Sequence, residues 1–201
     1  VGAGTMGHSL AQVFDQAGCQ VRLNDVREEI LTKAKSLIAS NLKTLVELGL
    51  STEKDAADAL SRIRPAVKIE EAAGEADFVI EAIVEDAAVK KEMFAALDRL
   101  CPAQAILASN TSYLDIFKFV ETRRPDKVII THWFAPPHIV PLVEIVRGPE
   151  TSPETVAATR DLMIRVGKKP IVISKFLPGF IANRLQSALN REVLFLLDNG
   201  Y

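Results

Sequence analysis

The chain of 201 residues carries 24 Lys and Arg against 26 Asp and Glu, a net charge of −2, and is 48% hydrophobic. That is the profile of a globular protein with a sizeable core, without the basic surplus that points to nucleic acid. The longest apolar runs, FVIEAIV and VLFLL, fall well short of the roughly 18 residues needed to cross a bilayer, so neither a nucleic acid nor a membrane is expected as a partner. Cys19 and Cys101 lack metal-ligand or redox spacing. No metal site is expected, both thiols read as core residues, and the expected compartment is the cytoplasm.

The first element is VGAGTMGHSLAQVF, in which Gly2, Gly4 and Gly7 have the spacing of a turn that lets a backbone approach a pyrophosphate. Such a turn follows a strand of about five or six residues. Only Val1 precedes it here, so the first strand is expected to be incomplete. Leu10, Val13, Phe14 and Ala17 mark a helix face ending at Gly18, and CQVRLND reads as a strand. Helical spacing runs from Glu28 to about Leu48, and Ser51 is placed to cap a second helix over 52–63, which together make a helical hairpin inserted into the fold. AVKI, ADFVIEAIV, AILASN and KVIITHWF read as further strands, with a helix from Ala87 to Leu100 between the second and third of these. PPHIVPLVEIVRG predicts a turn and then a strand at or near a sheet edge, where proline is tolerated. Ser152 and Glu154 open a helix, KPIVIS is a last strand, and Pro178 starts a long amphipathic helix with Phe180, Ile181, Leu185, Leu189, Val193, Leu196 and Leu197 on its apolar face. Alternating strands and helices predict a Rossmann-type, doubly wound, mostly parallel α/β sheet over 1–174. Residues 175–201 are expected to be the first helix of an all-helical domain, because one apolar-faced helix cannot bury itself.

Asp25 ends the strand after the glycine turn, 18 residues past Gly7. A carboxylate there accepts hydrogen bonds from ribose hydroxyls and repels a 2′-phosphate, so NAD is the expected cofactor.

GAGTMGHSLAQ, EAIVEDAAVK, SNTS, the histidine of THWF with PLVEIV after it, and PGFIANR occur in this order from Gly2 to Arg184. This set resembles the L-3-hydroxyacyl-CoA dehydrogenase family, which includes lambda-crystallin (L-gulonate 3-dehydrogenase) and carnitine dehydrogenase. The resemblance implies that His132 is the catalytic base and Glu144, twelve positions on, its carboxylate partner. Chemistry agrees, since an imidazole titrates near neutrality and a carboxylate on its other nitrogen fixes the tautomer. The resemblance also assigns Ser112 to the reacting oxygen of the substrate and Asn183 to completion of the catalytic site. Gly2, Gly4, Thr5, Met6, Gly7 and Asp25 would hold the adenosine and pyrophosphate side of NAD, with Glu85, Lys90 and Asn110 near the nicotinamide and its ribose. His8 reads as packing beside the pyrophosphate and His138 as an exposed residue of the proline turn.

The implied reaction is NAD-dependent oxidation of an L-3-hydroxyacyl-CoA to the 3-ketoacyl-CoA, and the reverse, in a homodimer formed through the helical domain. One departure bears on the substrate: the acyl-CoA enzymes usually have HFFNP where this chain has HWFAP, with Ala135 in place of an amide. The stretch 27–62, which holds the hairpin, carries six basic and six acidic residues and so has no net anion-attracting field. A small free hydroxy acid of gulonate or carnitine type is the alternative substrate, and a non-catalytic nucleotide-binding protein is a more remote one.

Overall fold

The computed structural model describes all 201 residues. Helix α1 (Gly7–Gln16) leaves the glycine turn, and β1 (Val21–Asn24) follows. Helices α2 (Glu28–Glu47) and α3 (Glu53–Arg62) then pack on each other and on α1 before β2 (Ile63–Ala66). Two acidic residues open α2, where they suit the helix dipole. The Thr52 hydroxyl caps α3 by accepting from the Asp55 amide; Ser51, one residue earlier, is not the cap.

The chain continues through α4 (Ile69–Ala73), β3 (Phe78–Glu81), α5 (Ala87–Leu100), β4 (Ile106–Ser109) and β5 (Val128–Trp133). It ends with β6 (Leu142–Val146), α6 (Pro153–Arg165), β7 (Lys169–Ile173) and α7 (Ala182–Asp198). Asp86 caps α5 and Ser152 caps α6, each accepting from the amide three residues on.

β1 and β2 form a parallel pair, while β3 to β7 form a sheet in sequence order, parallel except for antiparallel β5 and β6. Residues 1–2 stand between the two sheets. The Val1 amino group donates to Ile80, Ala82 N donates to the Val1 carbonyl and Gly2 N donates to Asn24, each at 2.8 Å. Beside them lies a cleft of about 730 Å³ lined by Leu10, Val21, Leu23, Phe78, Ile80 and Leu162, among others.

Helices cover both faces of the larger sheet. Val79, Leu107, Val128, Ile130 and Val146 point to one side with Phe94 and Leu97 of α5. Ile129, Trp133, Val143 and Ile145 point to the other with Leu10 and Val13 of α1 and Met163 of α6. The alternation puts His132 and Glu144 on the α5 side, along with Ile130 and Val146.

As expected, β6 lies near a sheet edge, one strand in: the prolines are confined to the turn before it, and it pairs with β5 and with the edge strand β7. Two expectations are corrected. The strand read at AVKI lies three residues earlier, where Pro65 is accepted beside β1, and residues from Ile69 form α4 instead. The last helix starts at Ala182 rather than Pro178, because Gly179 and Phe180 take positive φ of 75° and 49° and cannot continue a right-handed helix. No residue of α7 is buried, and Leu185, Leu189, Val193, Leu196 and Leu197 are exposed.

Candidate active site

The β5–β6 register places His132 directly opposite Glu144. Their side chains therefore share a face, and His132 Nδ1 donates to Glu144 Oε2 over 2.8 Å with both residues buried. The other carboxylate oxygen, Oε1, accepts from the amides of Ile181 and Ala182, each at 2.9 Å, so Glu144 also caps the first turn of α7. Burial opposes ionisation of Glu144, but the bond from His132 and the two amides outweigh it and hold the carboxyl below its usual value. His132 Nε2 is left without a protein partner. The imidazole lies between the rings of Phe134 and Phe180, with centroids at 4.6 and 5.1 Å. Phe180 is fully buried there, at a left-handed turn where the apolar periodicity predicts helix; the Pro-Gly pair before it is the signal for the turn.

A second group forms where β3 and β4 end. Asn110 Oδ1 accepts from the backbone amide of Trp133 at 3.0 Å, tying the end of β4 to the residue after His132. Glu85 Oε1 accepts from the Thr111 hydroxyl and from the Ser112 and Tyr113 amides, and its Oε2 stands 3.2 Å from Lys90 Nζ. Burial alone would raise the Glu85 carboxyl; the Thr111 bond and the Lys90 charge reverse that and lower it. Lys90, expected near the cofactor, is 1% exposed and donates to fully buried Glu81 at 2.6 Å. Sequence reading missed Glu81, although an acid inside the apolar run FVIEAIV is a signal, since a buried carboxylate needs a partner.

The glycine turn has the shape a dinucleotide requires. A Cβ on Gly7 would lie 1.7 Å from the Gly2 carbonyl oxygen and one on Gly2 would lie 2.6 Å from that of Ala82, whereas the space beside Gly4 is open. The amides of Gly4, Thr5 and Met6 have no backbone acceptor. Asp25 is fastened to the turn through Ala3 N at 3.0 Å. His8 Nδ1 donates to the Gly4 carbonyl at 2.8 Å and its Nε2 accepts from Ser9. His138 is not simply exposed, as expected, but half-buried, and it donates to Ser9 Oγ at 3.3 Å. Burial, then the neighbouring His8 and Lys168, lower its pKa.

The remaining predicted positions are less tightly engaged. Ser112 is half-buried in the loop held by Glu85. Asn183 lies in the first turn of α7 beside Ala182, and its side chain makes no hydrogen bond.

Residues 1–176 match the family model of the 3-hydroxyacyl-CoA dehydrogenase NAD-binding domain. The probable 3-hydroxybutyryl-CoA dehydrogenase of Bacillus subtilis is 39% identical over 200 residues, covering 99% of this chain and 69% of the relative. The human lambda-crystallin homolog is 36% identical over 202 residues, covering 100% and 63%. The crystal structure of 3-hydroxybutyryl-CoA dehydrogenase from Escherichia coli K12 superposes with a TM-score of 0.94 at 37% identity, covering 98% of this chain and 42% of that one. Here the chain spans the NAD-binding part of longer relatives, and with a glycine turn, Asp25 and a mostly parallel sheet that all suit that cofactor, it belongs to the 3-hydroxyacyl-CoA dehydrogenase family of NAD-dependent oxidoreductases.

Proposed function

We propose that the protein oxidises an L-3-hydroxyacyl-CoA to the 3-ketoacyl-CoA, and catalyses the reverse, with His132 as the general base. The observation that carries this reading is the buried His132–Glu144 bond on Nδ1, which leaves Nε2 as the open nitrogen of the ring. NAD, when bound, supplies the acceptor for the hydride that leaves carbon 3. His132 Nε2 takes the hydroxyl proton as that hydride departs and returns it in the reduction. Glu144 holds the proton on Nδ1 and stabilises the imidazolium. Ser112 donates to the reacting oxygen, Asn183 completes the site from α7, and Asn110 stands beside the nicotinamide, fixed by Trp133 N. Phe134 and Phe180 keep water from the faces of the imidazole. Gly2, Gly4, Thr5, Met6 and Gly7 hold the pyrophosphate, Asp25 the adenosine ribose, and Glu85 with Lys90 the nicotinamide side.

The names of the relatives favour a short-chain acyl-CoA. Ala135, three residues from His132, and the neutral 27–62 stretch favour a small free hydroxy acid as the second reading. We place residues 1–174 in the cofactor domain and 175–201 in a helical domain that forms a homodimer, a reading supported by the exposed leucines of α7. Two free cysteines support a reducing, cytoplasmic setting. No helix is long and apolar enough to cross a membrane. The test compares kcat/KM for acetoacetyl-CoA reduction with that for oxidation of gulonate, carnitine and 3-hydroxybutyrate. An advantage of about tenfold or more for a free acid, roughly 1.4 kcal/mol in transition-state stabilisation, overturns the acyl-CoA assignment. His132→Gln lowers turnover on the preferred substrate by about 10² to 10⁴ with NADH affinity nearly unchanged; near-normal turnover removes His132 from the mechanism.

A further inference from the structure

Beneath the loop that carries Asn110 and Ser112 lies a carboxylate with no route to solvent. Glu81, at the end of β3, is fully buried, and every oxygen it has is engaged. Oε1 accepts from Lys90 Nζ at 2.6 Å and from Ile83 N at 2.8 Å; Oε2 accepts from Ser109 Oγ at 2.6 Å. Two arms run from it to one short segment. In the first, Ser109 Oγ accepts from Thr111 N at 3.2 Å. In the second, Lys90 pairs with Glu85, which holds Thr111 Oγ1 and the Ser112 and Tyr113 amides.

We propose that Glu81 is a positioning residue: its charge keeps Lys90 in place and, through Lys90–Glu85 and through Ser109, sets where Ser112 meets the substrate. The inference rests on the reading that Ser112 binds the reacting oxygen.

The physical case is one of charge balance. Lys90 is an ammonium at 1% exposure and requires a carboxylate nearby. Glu85 is 41% exposed on its side chain and Glu81 is not exposed at all, so Glu81 is the partner that water cannot screen. If Glu81 loses its charge, Lys90 turns wholly to Glu85. Glu85 is then drawn towards the ammonium and away from the Ser112 and Tyr113 amides, and the loop loses the three bonds that order it.

The experiment uses Glu81→Gln in the whole protein, with two readouts. In hydrogen exchange, protection of the Ser112 and Tyr113 amides falls about tenfold or more, while protection of Phe94 and Leu97 in α5 is unchanged, as expected for a local rather than global opening. In steady-state kinetics on the preferred substrate, kcat falls about 10- to 100-fold while NADH affinity changes less than about threefold, the pattern of a lost reaction-geometry contact. Ser109→Ala cuts one arm only and keeps the ion pair; it lowers kcat by about 2- to 5-fold and protection of Thr111 alone. If Glu81→Gln fails to fold, this variant and its amide readout decide the question. Unchanged loop protection, or a normal kcat in a folded variant, overturns the proposal. A wild-type protein without turnover on any 3-hydroxy substrate would instead refute the functional reading, and the exchange measurement would still decide whether Glu81 orders the loop.

Discussion

Replacing Glu144 with Gln tests the dyad more sharply than removing the histidine, because the amide has the same shape and only two ways to sit. With its oxygen toward His132, the NH2 group faces the Ile181 and Ala182 amides, and donors meet donors. Two part-buried amides then lose their acceptor, at up to about 1–3 kcal/mol each. With its oxygen toward those amides, the NH2 donates to His132 Nδ1 and every bond is made, provided Nδ1 gives up its hydrogen. The second arrangement is therefore favoured. It places the ring proton on Nε2, the atom that accepts the hydroxyl proton in the proposed reaction, so the folded protein would hold the wrong tautomer. A carboxylate-to-amide change with that consequence costs about 10⁴ in a serine-protease triad, so kcat should fall by about 10³ to 10⁴, roughly 4 to 5.5 kcal/mol. Acetoacetyl-CoA reduction followed at 340 nm measures it, with NADH fluorescence titration as a control; affinity should scarcely change, while the melting temperature should fall, because the amide gives up the stabilisation that the ionised carboxylate draws from His132 and the two backbone amides. Glu144→Gln with more than about a tenth of wild-type kcat refutes the tautomer argument.

Three further outcomes follow from other contacts. Asp25→Ala should shift the NADPH-to-NADH affinity ratio toward NADPH by about tenfold or more, since it removes a charge facing the 2′-phosphate position; unchanged fluorescence-titration ratios would contradict that role. Despite burial, Thr122 and Arg123 hold the Asp98 carboxyl down from 3.8 to about 2, so its contribution is complete above the usual carboxylate value and disappears as pH falls toward 2. Asp98→Asn should therefore cost about 2–4 kcal/mol in urea unfolding at neutral pH, the shift itself accounting for roughly 2 and stranded Arg124 for the rest, with the difference narrowing in acid. Phe180→Ala should destabilise by about 3–5 kcal/mol in the same assay and lower kcat, as a buried ring that walls the imidazole is lost; a wild-type midpoint would show that the turn does not pack as described.

What could be read in the sequence was whatever local pattern decides. The helix Ala87–Leu100 is found at the predicted residues because a capping Asp and a following proline mark both ends. The Ser152 cap and the glycine turn were legible for the same reason. The errors lie where tertiary contact overrides local signal. The strand read at AVKI forms three residues earlier, with Pro65 accepted in it beside β1. The stripe from Phe180 to Leu197 has helical period, and only a left-handed backbone at Gly179 and Phe180 diverts its first member under His132. Glu81, an acid inside the apolar run FVIEAIV, points to burial, but that its partner is Lys90, nine residues on, shows only when the fold brings one beneath the other.

The antiparallel strand also explains why His132 and Glu144 are so close in the chain. In a parallel pair, facing residues are separated by a crossover, which is why Glu81 and Ser109 stand opposite each other 28 positions apart. Reversing direction after Trp133 needs only a short proline-bearing turn, so His132 faces Glu144 after twelve positions. The reversal does a second thing. It carries Glu144 to the end of the sheet where the chain later re-enters at Phe180–Ala182, and there the same carboxylate receives the α7 amides. One buried carboxylate thus accepts from His132 Nδ1 and from the first turn of α7, the helix that carries Asn183. The dyad and the docking of α7 are accordingly one structural unit, and displacing α7 should disturb the histidine even where no residue of the sheet is changed.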